Sequence, residues 1–310
     1  MAFTTNLSGT AQVDDSIVTL YDQAFITEVA QNDVMDPFIT VIKRINAATV
    51  KFPRYTQLAI PAASLTETDD VTSEAIADTG IILTPVEEGN VVTKTELASL
   101  QTGGVIDLVI PQLVGMNAAA TSNLRATNAL LASSNVLTPG GVALASLAAT
   151  DVLSGTFLNK LYNKLSRKGN GIATIVGSYV LFAHDDVIAD LRADTAVGSW
   201  VDVSKYSLPG QVFANEVGMY KGFRIIRNNA LVGVDQAGAG TVDVYPIIAL
   251  GFNGLGKAVS REVEMRATGP FDKLARFVNM GWYGVYKYGI VEADAVWVGY
   301  VASSLGNNAA

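Results

Sequence analysis

The chain has 310 residues, 49% of them hydrophobic and 16% charged, a balance that supports a large buried core and lies far from compositions that stay disordered. There is no cysteine and a single histidine, His184, which excludes disulfide frameworks, thiolate chemistry and any one-chain metal site needing two imidazoles. Twenty-one basic residues against 29 acidic ones give a net charge of −8, opposed to a protein whose main task is gripping phosphate backbones.

Met1 to Gln12 holds no Lys or Arg and no apolar run, so neither a signal nor a transit peptide is expected. The first 46 residues read as a helical arm. Ile17, Leu20, Tyr21, Ala24, Phe25 and Val29 recur at three- and four-residue steps behind Asp14 and Asp15. Asp36-Pro37 then signals a second short helical turn ending near Lys43-Arg44.

Ala48 to Leu58 switches to period two, with Val50 and Phe52 on one face, Lys51 on the other, and Pro53 marking an edge. A second extended run covers Ile81 to Leu97. Between them Pro61 to Gly80 carries Glu67, Asp69, Asp70, Glu74 and Asp78 and no cation. Over Ile60 to Leu100 eight acids face one lysine, so seven of the eight net negative charges sit here. A two-stranded ribbon has no core of its own, so it must find cover on another surface, which in a self-assembling protein belongs to a neighbour.

After Gly103-Gly104, Pro111 to Ser133 is the best helix candidate, with a stripe of Leu113, Met116, Ala120, Leu124, Thr127 and Leu131. The charge-free stretch from Ala126 to Thr150 is too polar to lie in hydrocarbon, so no membrane partner is expected. From Asp151 the chain reads as a mixed α and β domain. Phe157 to Lys168 is an amphipathic helix with Leu158, Leu161 and Leu165 inward and Lys160, Lys164, Arg167 and Lys168 outward. Ile172 to Val176, Val180 to Phe182, Phe223 to Ile226 and Val242 to Leu250 read as strands, with a short helix over Asp185 to Arg192. Phe277 to Val301 alternates aromatics in strand fashion.

Three motifs invite chemistry. Gly251 to Lys257 has phosphate-loop spacing, but Ala258 stands where a magnesium-binding hydroxyl belongs, and the alternation of Val259 to Met265 predicts a strand where the loop needs a helix. His184-Asp185-Asp186 reads as a helix start with Asp185 as N-cap. The acids of the ribbon lack the one-three-five pattern and glycine of a calcium loop. No catalytic, cofactor-binding or metal-binding residues are assigned, and no enzymatic activity is expected.

The element order, together with Tyr245-Pro246 to Leu250 running into Gly251-Phe252-Asn253-Gly254-Leu255-Gly256, then Pro270-Phe271-Asp272-Lys273-Leu274, then Phe277 to Trp282 and Tyr288-Gly289-Ile290 to Ala293, resembles the tailed-phage major capsid proteins of the Hong Kong 97-like fold. It is most similar to their N4-like branch. That resemblance implies an α+β chain with residues 1–46 as N-terminal arm and 47–103 as extended β-hairpin loop. Residues 104–150 would be a peripheral domain with a long spine helix, 151–256 an axial domain of mixed sheet and helices, and 257–310 a return to the peripheral domain and a C-terminal strand.

It also implies self-assembly into pentamers and hexamers of an icosahedral virion shell around double-stranded DNA, which is touched only non-specifically. Assembly would take place in the bacterial host cytoplasm, with a portal, a possible decoration protein and, since the arm begins within a dozen residues of Met1, a separate scaffolding protein. An encapsulin-type compartment is the alternative within the same fold, and a nucleotide-binding α/β enzyme using Gly251 to Lys257 the alternative outside it. In cross-linking members a loop lysine joins a neighbour's asparagine, but no lysine lies between Lys51 and Lys94 here, so that chemistry does not carry over. The expected subunit contact sets Leu65, Glu67, Asp69, Asp70 and Glu74 of the ribbon against Arg261, Arg266, Lys273 and Arg276 of a sister chain.

Overall fold

A computed structural model describes residues 23–305 except 30–32, 45–47, 57, 62–63, 65–66, 68–69, 71–72, 168–171, 176, 195–214, 241, 271, 273 and 275. Residues 1–22, the first half of the expected arm, lie outside the described residues, and the arm is seen as a helix, α1, over 23–29. A single 3-10 turn comes next, at Asp36–Phe38. The expected second helical turn stops there, because Thr40–Lys43 forms strand β1 and pairs in parallel with residues 256–259.

Two sheets organise the rest of the chain. Strands β2 (Val50–Phe52) and β3 (Ile81–Leu83) form the antiparallel base of the ribbon. The chain then leaves the ribbon as β4 (Val86–Thr95) and, after helices α2 (Glu96–Gln101) and α3 (Val105–Leu131), reaches the two-residue strand β5 (Val136–Leu137). Helix α4 (Gly155–Ser166) precedes β6 (Tyr179–Ala183), α5 (Asp185–Ala193), β7 (Glu216–Tyr220) and β8 (Phe223–Arg227). Strands β9 (Val244–Leu250), β10 (Leu255–Thr268), β11 (Phe277–Ile290) and β12 (Val296–Ala302) complete the chain. The four-stranded sheet runs β1-β10-β11-β4, and the six-stranded sheet β5-β12-β9-β6-β8-β7. Among the described residues Ile172 to Ile175 form no strand, only a bridge from Ile175 to Ser178.

Every residue of β6 and β9 is buried, as expected of central strands covered on both faces. Phe157, Leu158, Leu161 and Leu165 of α4 and Val187, Ile188 and Leu191 of α5 cover one face of the six-stranded sheet. Ile110, Val114, Ala118, Ala126 and Leu130 of α3 join the core on its other face, which α3 shares with Met280, Trp282, Tyr286 and Tyr288 of β11. Helix α4 starts where the sequence supplies a cap, since the Ser154 hydroxyl accepts from the Phe157 N–H at 3.4 Å. At α5 the cap is His184, one residue before the expected Asp185, with Nδ1 accepting from the Asp186 N–H at 3.2 Å.

Helix α3 departs from expectation twice. It begins six residues before Pro111, behind Gly103 and Gly104, both at positive φ, where glycine carries no Cβ penalty. It also buries a face turned away from most of the expected stripe, of which Thr127 is buried and Leu131 packs against the core. Leu113, Met116 and Leu124 are 56%, 47% and 46% exposed, while Gly115, Ala118, Ala119, Ser122 and Ala126 point inward. The reason is steric. A helix laid against a strand carrying Met280, Trp282, Tyr286 and Tyr288 at period two needs small side chains at closest approach. A stripe chosen by side-chain size therefore selects the wrong face. By length and composition α3 could cross a membrane, but its inner face packs on this sheet and on α1.

Candidate assembly interface

The ribbon is fixed at its root and bare beyond it. Val50 and Phe52 are buried with Ala258 and Val291, and Phe52 lies so close to Gly256 that an added Cβ there would fall 2.7 Å from its ring. Lys51 Nζ meets Asp78 at 2.7 Å, Arg54 meets Glu292 at 2.7 Å, and Tyr55 bridges Asp78. Farther out, the Glu74 carboxylate accepts from the Ala59 N–H at 3.1 Å. Every described residue from 55 to 79 is exposed, including Ile60 at 85% and Ile76 at 73%. Leaving such side chains in water forgoes roughly 1.5–3 kcal/mol each relative to burial.

Glu67, Asp70 and Glu74 lie on this exposed stretch, whereas Leu65 and Asp69 lie outside the described residues, as does Lys273. The cations expected to receive the acids sit elsewhere and have acids of their own. Arg261 and Arg266 approach Glu264 at 3.6 and 2.6 Å, and Arg276 approaches Asp272 at 2.9 Å. Arg266 also stacks 4.2 Å from the centre of the Tyr283 ring. Among the described residues no ion pair joins a ribbon acid to one of these arginines within the chain.

Sequence reasoning missed a polar network at the root of the arm. Lys257, a few per cent exposed, meets Asp36 at 2.5 Å, and the Tyr288 hydroxyl reaches the other Asp36 oxygen at 3.1 Å. Tyr288 and Ser122 share a 2.6 Å hydrogen bond, and Ser122 donates to Asp33 at 3.2 Å. Asn123 Oδ1 accepts from the N–H groups of Val34 and Met35 at 3.0 and 3.3 Å. Segment 33–36 is thus tied to α3, β10 and β11 together. Burial, then the neighbouring Asp36 carboxylate, pushes the Asp33 carboxyl up to about 6. The available signal was the pairing of Asp36-Pro37 with a lysine 221 positions later, which no local pattern reveals.

Lys257 is therefore held by Asp36, and the phosphate-loop spacing around it does not build a phosphate site. Leu255 opens a 14-residue strand, so no helix N-terminus is present to cradle an anion. At His184, Asp186 accepts from the Tyr245 hydroxyl at 2.9 Å. Burial and that carboxylate push the Tyr245 hydroxyl up to about 12, and the group reads as a capped, packed helix start.

The comparisons with known proteins agree with this geometry. A family model described as phage capsid protein matches residues 91–243. The capsid of Ralstonia phage GP4 superposes with a TM-score of 0.70 at 13% identity, covering 90% of this chain and 93% of that one. The cyanophage Pam1 capsid superposes at 0.67 and 12% identity, covering 89% and 93%. The chain has the Hong Kong 97-like fold of these capsids, and its central part, residues 91–243, matches the phage capsid protein family. A virus-like particle from Pyrococcus furiosus is similar at a TM-score of 0.57 and 12% identity, covering 90% and 98%. No curated protein matches the chain. The family match and the fold support a capsid shell protein, and the bare ribbon and the outward apolar residues of α3 are surfaces that a shell can cover.

Proposed function

We propose that this phage capsid protein forms the pentamers and hexamers of an icosahedral head around double-stranded DNA, with each ribbon lying on a sister subunit. The observation that carries this is the ribbon itself, buried at Val50 and Phe52 and exposed at every described position from 55 to 79. A segment with so little cover gains its packing through assembly. Apolar residues such as Ile60 and Ile76 supply affinity, and the acids set register and orientation. Arg261, Arg266, Lys273 and Arg276 are proposed as rim contacts, the three described ones sharing their charge with acids they already hold.

A separate scaffolding protein, a portal, a decoration protein and assembly in the bacterial host cytoplasm belong to the same proposal, as does a place in the N4-like branch. Cargo discriminates the encapsulin-type alternative: co-purified DNA or scaffold supports a phage head, an enzyme cargo the compartment. Deleting Leu65 to Asp78 tests the mechanism. Particles are expected to vanish by light scattering and electron microscopy while the circular dichroism spectrum of the remaining chain persists. Particles that still assemble would refute it.

A further inference from the structure

Most described lysines and arginines stand beside a carboxylate, from Lys43 with Glu262 to Arg276 with Asp272. One group does not. Lys160, Lys164 and Arg167, at i, i+4 and i+7 of α4, share one side of the helix, about 6 and 4.5 Å apart along its axis. All three are exposed, and among the described residues none has a carboxylate within ion-pair distance. With Asn163 they rim a concavity of about 500 Å³ whose floor is Leu137 and Trp297. The Lys164 ammonium stands 5.5 Å from the Trp297 ring centre, and the indole N–H is occupied by the Asp294 carbonyl at 3.2 Å, which leaves the ring as an apolar surface. The concavity lies on the α4 and α5 side of the six-stranded sheet, away from α3.

We propose that this concavity receives the acidic ribbon of a second copy of the chain. The inference rests on the shell reading and, within it, makes this concavity the seat of the ribbon acids in place of Arg261, Arg266, Lys273 and Arg276. Two complementarities support it. Pro61 to Gly80 holds five acids and no cation, a complement to a cation cluster with no acid at ion-pair distance among the described residues. The same ribbon exposes Ile60 and Ile76 beside those acids, which suits a floor of Leu137 and Trp297 under a cationic rim. Arg261 and Arg266, by contrast, already share Glu264.

Reach allows it. Residues 53–80 between β2 and β3 can extend about 45 Å as two arms, against a radius of gyration of about 20 Å for a chain of this length, so the tip can pass beyond its own body. Each exposed ion pair contributes little alone, and the cluster acts chiefly by selecting which surface the ribbon meets and in which orientation.

The test is a charge swap in the full-length chain, with particles counted by sedimentation and electron microscopy from expressing cells. Lys160→Glu, Lys164→Glu and Arg167→Glu together are expected to lower particle yield at least roughly tenfold, as are Glu67→Lys, Asp70→Lys and Glu74→Lys together. Combining both sets should restore yield. Thermal melting of the unassembled chain checks that the variants fold, and the conservative set Lys160→Arg, Lys164→Arg and Arg167→Lys should assemble normally. Undiminished yield from the α4 reversal overturns the proposal. So does a combined variant that stays unassembled, since the seat would then serve another occupant, nucleic acid included. A wild-type chain that forms no particles at all counts against the shell reading itself.

Discussion

Tyr286 and Tyr288 are two residues apart on β11 and both buried, yet their hydroxyls meet different fates. The Tyr288 hydroxyl bonds Ser122 and Asp36, whereas that of Tyr286 has no partner among the described residues. Burial raises both phenol pKa values far beyond the usual range. An unpartnered buried hydroxyl carries a desolvation cost with no return, so Tyr286→Phe is expected to be neutral or to stabilise by up to about 1 kcal/mol, and Tyr288→Phe to destabilise by about 1–2 kcal/mol. Urea unfolding of the unassembled chain measures both.

Asp33 supplies a pH dependence. Its carboxyl is raised from 3.8 to about 6 in the folded chain, so between those values the folded state holds a proton that the unfolded state has released. Its contribution to stability therefore falls as pH rises from about 4 to about 6, and the cost is fully present above that. Asp33→Asn keeps an oxygen for the Met35 and Asp36 N–H groups while removing the titration. The melting temperature of the wild type relative to this variant should fall between pH 4 and pH 7, and parallel curves would contradict the assignment.

At the scale of elements, the face that α3 buries decides how the arm docks. Gly115 lies against α1, where an added Cβ would meet the Phe25 carbonyl oxygen at 2.9 Å and the Glu28 Cβ at 3.0 Å. Gly115→Val should therefore lift α1, costing about 1–3 kcal/mol. Faster hydrogen exchange over residues 23–29, with α4 unchanged, would report it.

Elements whose burial follows their own periodicity were legible in the sequence. Val50 and Phe52 alternate with Lys51 as expected, α4 buries the leucines read from its stripe, and β8 and β9 are the apolar runs they looked to be. What escaped depends on partners far along the chain. The inner face of α3 is set by the aromatics of β11 some 165 residues later, and β1 is a strand because β10 offers it an edge. The exposure of the ribbon was legible in the sequence and the pairing of Arg261, Arg266 and Arg276 was not, because whether an arginine is already paired is a tertiary fact.

At the scale of the whole molecule, exposed apolar side chains include those of the ribbon and a row on the outer face of α3, where Leu108 and Val105 join Leu113, Met116 and Leu124. Patches of this kind mark interaction surfaces. Assembly should therefore slow hydrogen exchange over residues 55–79 well beyond that at the root, where Val50 and Phe52 are already buried in the single chain. Equal exchange in free subunits and particles would mean that the ribbon gains no cover.

The two anchors sit on consecutive residues of one strand. Gly256 touches the Phe52 ring at the base of the ribbon, and Lys257 grips Asp36 at the base of the arm. A tug on the ribbon thus arrives, along β10, one peptide unit from the fastening of the arm. The strand between the two appendages works as a shared fulcrum, so a displacement of either one bears directly on the fastening of the other.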